Sequence, residues 1–329
     1  MKLHPIRALA IAALAAASSL ARAEDPPARL ELHAPTMGGK QFWADELFFH
    51  QWRIQRNVLT GHCRLLDGKN LRHASGTFPQ CREKLEQIRR QREIPPMQGK
   101  AVIVLHGLLR SRSSMDALCK YLAEKGGYSV FNVGYPTTRR QIGAHARVLS
   151  RVVDNLDGIE EINFVGHSMG NIVIRHYLGD QLDEKTGRGL DRRIKRFVML
   201  APPNQGSLVA QAFAENRPLE LITGEAVRQL GADWEKLRDK LATPPLQFGI
   251  IAGGTGNDHG FNPLLPGDDD GIVTLAHARL AGAHDFVVVP SLHSLIILNA
   301  KAKQYALRFL QKGYFVSASQ RNPIRATSH

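Results

Sequence analysis

"INFVGHSMGNIVIRHYL", Ile162 to Leu178, sets Ser168 between two glycines. The residues before it are a short, almost unbroken apolar run, which reads as a strand buried on both faces. The residues after it read as a helix. A serine at such a strand–turn–helix junction stands exposed at the end of a sheet, the placement a nucleophile needs. A strand-to-helix turn that sharp leaves no room for Cβ atoms two residues either side of the serine, and Gly166 and Gly170 supply none. Five-residue patterns with three fixed small residues also arise by chance, and the plain alternative is a glycine-rich turn without chemistry. The rest of the chain has to supply the partners.

Outward from Ser168 the chain alternates. "AVIVLHG" (101–107), "YSVFNVGYP" (128–136), "EINFVG" (161–166), "IKRFVMLAPP" (194–203), "LQFGIIAGG" (246–254) and "DFVVVPSLH" (285–293) read as strands. Helical patterns separate several of them, at 114–125 and 142–156, and a last one follows after residue 293. The fold class is therefore α/β, a mostly parallel central sheet with helices on both faces. Ligands of such sheets sit at the carboxyl ends of the strands, where Ser168 falls. Between residues 207 and 243 the alternation lapses. Leu219, Ile222, Leu230, Trp234 and Leu237 follow three- and four-residue steps, which predicts a helical cap over the sheet edge, or a stripe that is simply packed on it.

A serine nucleophile needs two preorganised N–H donors for the oxyanion, a base, and an acid that orients the base. The amide of Met169 opens the helix after Ser168 and faces developing negative charge. A second donor is expected at Leu108, in the loop after "VIVLHG". His106 then reads as a structural residue of that loop. Of 14 histidines, His293 is the expected base, because it alone lies in a loop that returns to the carboxyl edge after the last strand. His259 is the next candidate, while His167 and His176 should point elsewhere. The acid should lie in "TGNDHGFNPLLPGDDDGIVTL" (255–275), which offers Asp258, Asp268, Asp269 and Asp270. Asp270 is favoured, since the Gly-Ile-Val after it anchors the end of the loop. Asp-rich loops with Gly and Asn also bind calcium, the competing reading of this cluster.

Together "HGLL", "GHSMG", "APPNQGS", "DDGIV" and the late "LHS" resemble the α/β-hydrolase superfamily in its bacterial lipase and esterase branch, over residues 99–313. The order Ser, Asp, His is that superfamily's order. The resemblance implies an α/β-hydrolase fold, a Ser168–His293–Asp270 triad with Leu108 and Met169 as oxyanion donors, an ester or lipid substrate, and no metal or organic cofactor. Asn204 departs from the pattern, standing where similar lipases carry a histidine. The same triad would serve a thioesterase, transacylase or amidase. A non-catalytic envelope protein that kept the fold is the reading from another class, and the full set of partners argues against it.

Ahead of this region, residues 1–23 read as a signal peptide. Lys2 and Arg7 precede the apolar stretch Ala8–Ala21, and Ala21-Arg22-Ala23 is a small-x-small cleavage site. The implied location is periplasmic or secreted. Residues 24–98 form a basic N-terminal extension with strand-like pieces and one helix, and 314–329 read as a disordered tail. Formal net charge is +13, and removing Lys2, Arg7 and Arg22 with the leader takes away 3 and leaves +10. That balance favours peripheral contact with an anionic membrane surface. There is no zinc-finger spacing and no aromatic-rich basic stripe, so nucleic acid is not an expected partner. Of three cysteines, Cys63 and Cys81 could pair as a disulfide in an oxidising compartment.

Overall fold

The computed structural model describes residues 42–184, 187, 189–214 and 225–325. The signal peptide, the start of the N-terminal extension, and Leu219 and Ile222 of the 207–243 stripe lie outside the described residues.

Six strands form one parallel sheet, in the order β10-β9-β8-β7-β5-β6. They are β5 (Lys100–Leu105), β6 (Ser129–Val133), β7 (Glu161–His167), β8 (Ile194–Leu200), β9 (Gln247–Gly254) and β10 (Asp285–Pro290). All six fall on the runs predicted from apolar continuity. Parallel strands are covered on both faces, so both residue parities must be apolar. In β5, Ala101, Ile103 and Leu105 enter one core, while Val102 and Val104 enter the other. Helix α2 (Asp116–Gly126) and the closing helix α9 (Ala300–Lys312) cover the second face. Helices α3 (Ile142–Asp154) and α4 (Met169–Leu182) cover the first. This is the α/β-hydrolase arrangement, a parallel sheet flanked by helices. No described helix is long and apolar enough to cross a membrane.

The N-terminal extension is more than strand-like pieces. Strands β1 (Trp43–Phe49), β2 (Trp52–Asn57), β3 (Cys63–Leu66) and β4 (Arg72–Gly76) make an antiparallel sheet in sequence order, backed by α1 (Phe78–Gln91). Its core is continuous with the first face of the large sheet. Acids dock it there. Asp45, fully buried, accepts the Gly134 N–H at the end of β6 and the Gln55 amide. Glu46, also buried, is paired with Arg56 and Arg151. Cys63 and Cys81 are free, buried thiols in the structure rather than a disulfide. They stand on different elements, β3 and α1, and the Cys63 thiol turns to the Gly61 carbonyl.

The segment from 207 to 243 holds three short helices: α5 (Leu208–Ala214), α6 (Glu225–Leu230) and α7 (Trp234–Arg238). Leu230, Trp234 and Leu237 are buried in the first core. The Trp234 ring lies against Gly206, where even a Cβ would meet it at 3.0 Å. These three side chains are packed in the core, as the second reading of the stripe has it. A further short helix, α8 (Leu275–Ala278), follows the Asp-rich loop.

The described part of the expected disordered tail, residues 314–325, is packed on the domain. Phe315 is fully buried against Phe309. The Asp285 carboxylate accepts the N–H groups of Phe315 and Asn322, and Ile324 N–H donates to Ala283. A sheet-backing role for this segment predicts that Phe315→Ala lowers unfolding free energy by about 3–5 kcal/mol in urea titration. A loss below about 1 kcal/mol would mean the segment contributes nothing to the core.

Candidate active site

The β7–α4 junction is built around one strained residue. Ser168 has φ 53° and ψ −125°, and is half-buried. Its N–H donates to Leu200 O at 3.0 Å. Asn171, fully buried, holds the other side: its N–H donates to Ser168 O, and its side-chain amide reaches both Ser168 O and Leu200 O. The two flanking glycines are required because a Cβ at either has no room. A Cβ at Gly166 would lie 2.4 Å from Asn171 Oδ1, and one at Gly170 would lie 2.6 Å from Leu105 O. The first glycine admits the asparagine brace. The second lets α4 start directly against the end of β5.

Three side chains from the ends of three different strands then meet. His293, from the loop after β10, places Nε2 2.8 Å from Ser168 Oγ. Its Nδ1 lies 2.7 Å from Asp270 Oδ2. A carboxylate only accepts, so the His293 proton sits on Nδ1 and the Nε2 lone pair faces the serine hydroxyl. Asp270 is 1% exposed, and its second oxygen accepts the N–H groups of Ile272 and Val273. The His293 N–H donates to Asp270 O, so main chain and ring are both tied to that residue.

The neighbouring acids do other work. Asp268 accepts the Thr255 and Gly256 amides and closes the loop's neck. Asp269, fully buried, accepts the Asn262 and Gly271 amides, and burial raises its pKa. Asp258 and His259 are exposed. Both oxygens of Asp268 and Oδ1 of Asp269 are thus taken up by N–H donors. Among the described residues no cluster of His, Cys, Asp and Glu could hold a metal ion.

The loop after β5 lies against the serine: a Cβ on Gly107 would sit 3.0 Å from Ser168 Cβ. Leu108 follows at once, and Leu109 takes φ 56°. Thr137 fixes this turn by accepting the Leu109 N–H at 3.1 Å. Met169, at the first position of α4, has an amide with no acceptor inside the helix. Leu108 thus follows a residue packed on the serine, and Met169 follows the serine itself. Asn204, in the position of the departed histidine, is buried and structural. Its carbonyl groups accept from Arg175, and its amide donates to Ala278 O. Sequence reading missed Asn171, Thr137 and Arg175. Only Asn171 left a signal, as the lone polar residue opening an apolar helix.

Beneath the site lie three buried histidines. His106 stacks on Tyr135 and bonds the Gly107 carbonyl, the structural role expected of it. Tyr135 hydroxyl donates to His106 O, and its ring meets His145 on the other side. Burial lowers the His106 pKa to about 4 and that of His145 to about 3, and holds His167 well below the ordinary range.

Residues 99–226 match the family of lipases of class 2. No curated protein matches the chain. Solved structures with similar folds include a Listeria innocua protein, 17% identical with TM-score 0.46 over 66% of this chain and 95% of its own. A thermophilic esterase from Thermogutta terrifontis is 15% identical with TM-score 0.42, covering 67% and 92%. An extracellular α/β-hydrolase from a Paenibacillus species is 14% identical with TM-score 0.41, covering 65% and 98%. Over residues 99–226 the chain is thus similar to lipases of class 2, and its fold is that of the α/β-hydrolases.

The buried histidines set a pH limit. Each is neutral when folded and takes up a proton near pH 6.5 when unfolded, so acid favours the unfolded chain. Their contribution is complete above about pH 6.5 and is lost as pH falls toward 4. His145→Phe should flatten that loss by on the order of 2 kcal/mol between pH 7 and 5. Urea titrations of both proteins at the two pH values test this, and an unchanged difference would mean that His145 does not resist protonation.

Proposed function

We propose that this chain is a serine carboxylic ester hydrolase, a lipase or esterase that works through an acyl-enzyme on Ser168. The observation that carries the reading is the unbroken hydrogen-bond chain from Asp270 through His293 to Ser168 Oγ, with both distances under 3 Å. As Ser168 Oγ attacks an ester carbonyl, His293 Nε2 takes its proton. The resulting imidazolium is stabilised by Asp270, which keeps its own charge. The carbonyl oxygen becomes an oxyanion held by the Met169 and Leu108 amides. On collapse, the same proton goes to the leaving alkoxide. Water, deprotonated by His293, then attacks the acyl-serine, and on collapse His293 returns that proton to the departing Ser168 Oγ as the carboxylic acid is freed. The match to the lipase family favours oxygen esters over thioesters or amides as substrates.

We infer further that residues 1–23 export the chain and are removed, so that the mature protein begins at Glu24 and acts in the periplasm or outside the cell. The N-terminal sequence of protein recovered from the periplasm or medium tests this. A chain found there beginning at Met1 would contradict it.

Activity on p-nitrophenyl butyrate tests the chemistry. Ser168→Ala should abolish turnover with little change in melting temperature. Asp270→Asn should lower kcat by about 10³–10⁴, as loss of the orienting acid does in other triads. Asp258→Asn, exposed and remote from His293 in the hydrogen-bond pattern, should stay within about twofold of wild type. Full turnover by Ser168→Ala would refute the assignment of the nucleophile. A crippling Asp258→Asn would refute that of the acid.

A further inference from the structure

His167, the residue before Ser168, ends β7 and is 1% exposed. Its Nε2 lies 2.9 Å from the main-chain carbonyl of His293. A carbonyl can only accept, so the His167 proton is on Nε2 and the imidazole is the donor. The two rings are 5.1 Å apart and tilted by 45°. The opposite nitrogen, Nδ1, has no hydrogen-bond partner among the described residues. It lies so close to Gly107 that a Cβ there would sit 3.0 Å away. A flipped ring would aim a lone pair or a C–H at the carbonyl, so one orientation is selected.

This bond matters because little else holds the loop at that point. Leu292 and Leu295, on either side of His293, are 38% and 37% exposed, and apolar burial resumes only at Ile296 and Ile297. The main chain of His293 is instead fixed by two hydrogen bonds. Its N–H donates to Asp270 O at 2.8 Å, and its carbonyl accepts from His167. One anchor comes from the loop that carries the acid. The other comes from the residue bonded to the serine itself.

We propose that His167 is a positioning residue: its Nε2–H ties the main chain of His293 to the end of β7 and so sets the distance between His293 Nε2 and Ser168 Oγ. The proposal rests on the reading of Ser168 as nucleophile and His293 as base. The tie spans a short circuit, from Ser168 to its neighbour His167, across one hydrogen bond to His293, and back through the His293 ring to Ser168 Oγ. A shift of the loop would open the Nε2–Oγ contact directly. A neutral donor is also the right kind, because a cation beside His293 would oppose the positive charge that His293 acquires during attack. Burial, with His293 and Arg110 nearby, keeps His167 neutral.

The length of the side chain separates positioning from packing. His167→Gln keeps an N–H donor at a reach near that of Nε2. His167→Asn keeps a donor that is too short, and His167→Leu keeps apolar bulk without a donor. On p-nitrophenyl butyrate, the Asn and Leu variants should lose kcat by about 10- to 100-fold, the scale of a misplacement of about 1 Å, with KM within about twofold. The Gln variant should recover most of the loss. The downfield proton resonance of the His293–Asp270 hydrogen bond should broaden or shift in the Asn and Leu variants and return in the Gln variant. Wild-type kcat in the Asn or Leu variant would overturn the proposal. So would a loss of activity in all three that tracks melting temperature with the resonance unmoved. If Leu does not fold, the Gln and Asn pair decides. Ser168→Ala run alongside keeps the readings apart: its full activity would overturn the nucleophile assignment, whereas its inactivity beside an active Asn variant overturns only the role of His167.

Discussion

Ser168 occupies a backbone conformation, φ 53° and ψ −125°, that costs an L-residue on the order of 1–3 kcal/mol. Such a conformation persists only where its surroundings over-determine it. Here Leu200 takes the Ser168 N–H, Asn171 takes its carbonyl twice over, and Gly166 and Gly170 leave the space these contacts need. The strain aims a hydroxyl out of the sheet edge while the first amides of α4 face the same point. The sheet provides the rigidity. With β7 hydrogen-bonded to β5 on one side and β8 on the other, its end cannot move without breaking a parallel ladder.

The other groups at the site come from loops after further strands of the same sheet. Gly107 follows β5, Asp270 lies beyond β9, and His293 lies beyond β10. Each of these loops is tied by hydrogen bonds rather than by bulk. Three consecutive aspartates illustrate how finely the division runs. Asp268 closes the neck of its loop, Asp269 folds the loop's interior around two amides, and Asp270 alone turns to the histidine. A shift of register by one residue would exchange a structural carboxylate for the orienting one.

The sheet was legible in the sequence because strands buried on both faces must be apolar throughout. The serine and its two glycines were legible because the turn permits little else there, and His293 because only one loop returns to the edge. What escaped was non-local. Asp45 and Glu46 look like surface acids in "WADELFF", yet they are buried, with Gln55 and Arg56 reaching them from the next strand and Gly134 and Arg151 from distant stretches. The polar "SASQRNP" hides the fact that Asp285, far back in the chain, captures the amides of Phe315 and Asn322. The stripe at Leu230, Trp234 and Leu237 carried two readings, and its periodicity alone could not choose between a cap over the sheet edge and a packed core. Cys63 and Cys81 were paired on compartment and count, without knowledge of how each thiol is directed.

The central claim is that Ser168 becomes covalently acylated, with His293 as its base. The most direct measurement is intact-protein mass spectrometry after exposure to an alkyl fluorophosphonate, followed by mapping of the modified peptide. The account predicts one adduct per chain, located on Ser168, and a large loss of labelling rate in His293→Ala. An adduct on another residue, or undiminished labelling of Ser168 in His293→Ala, would contradict it.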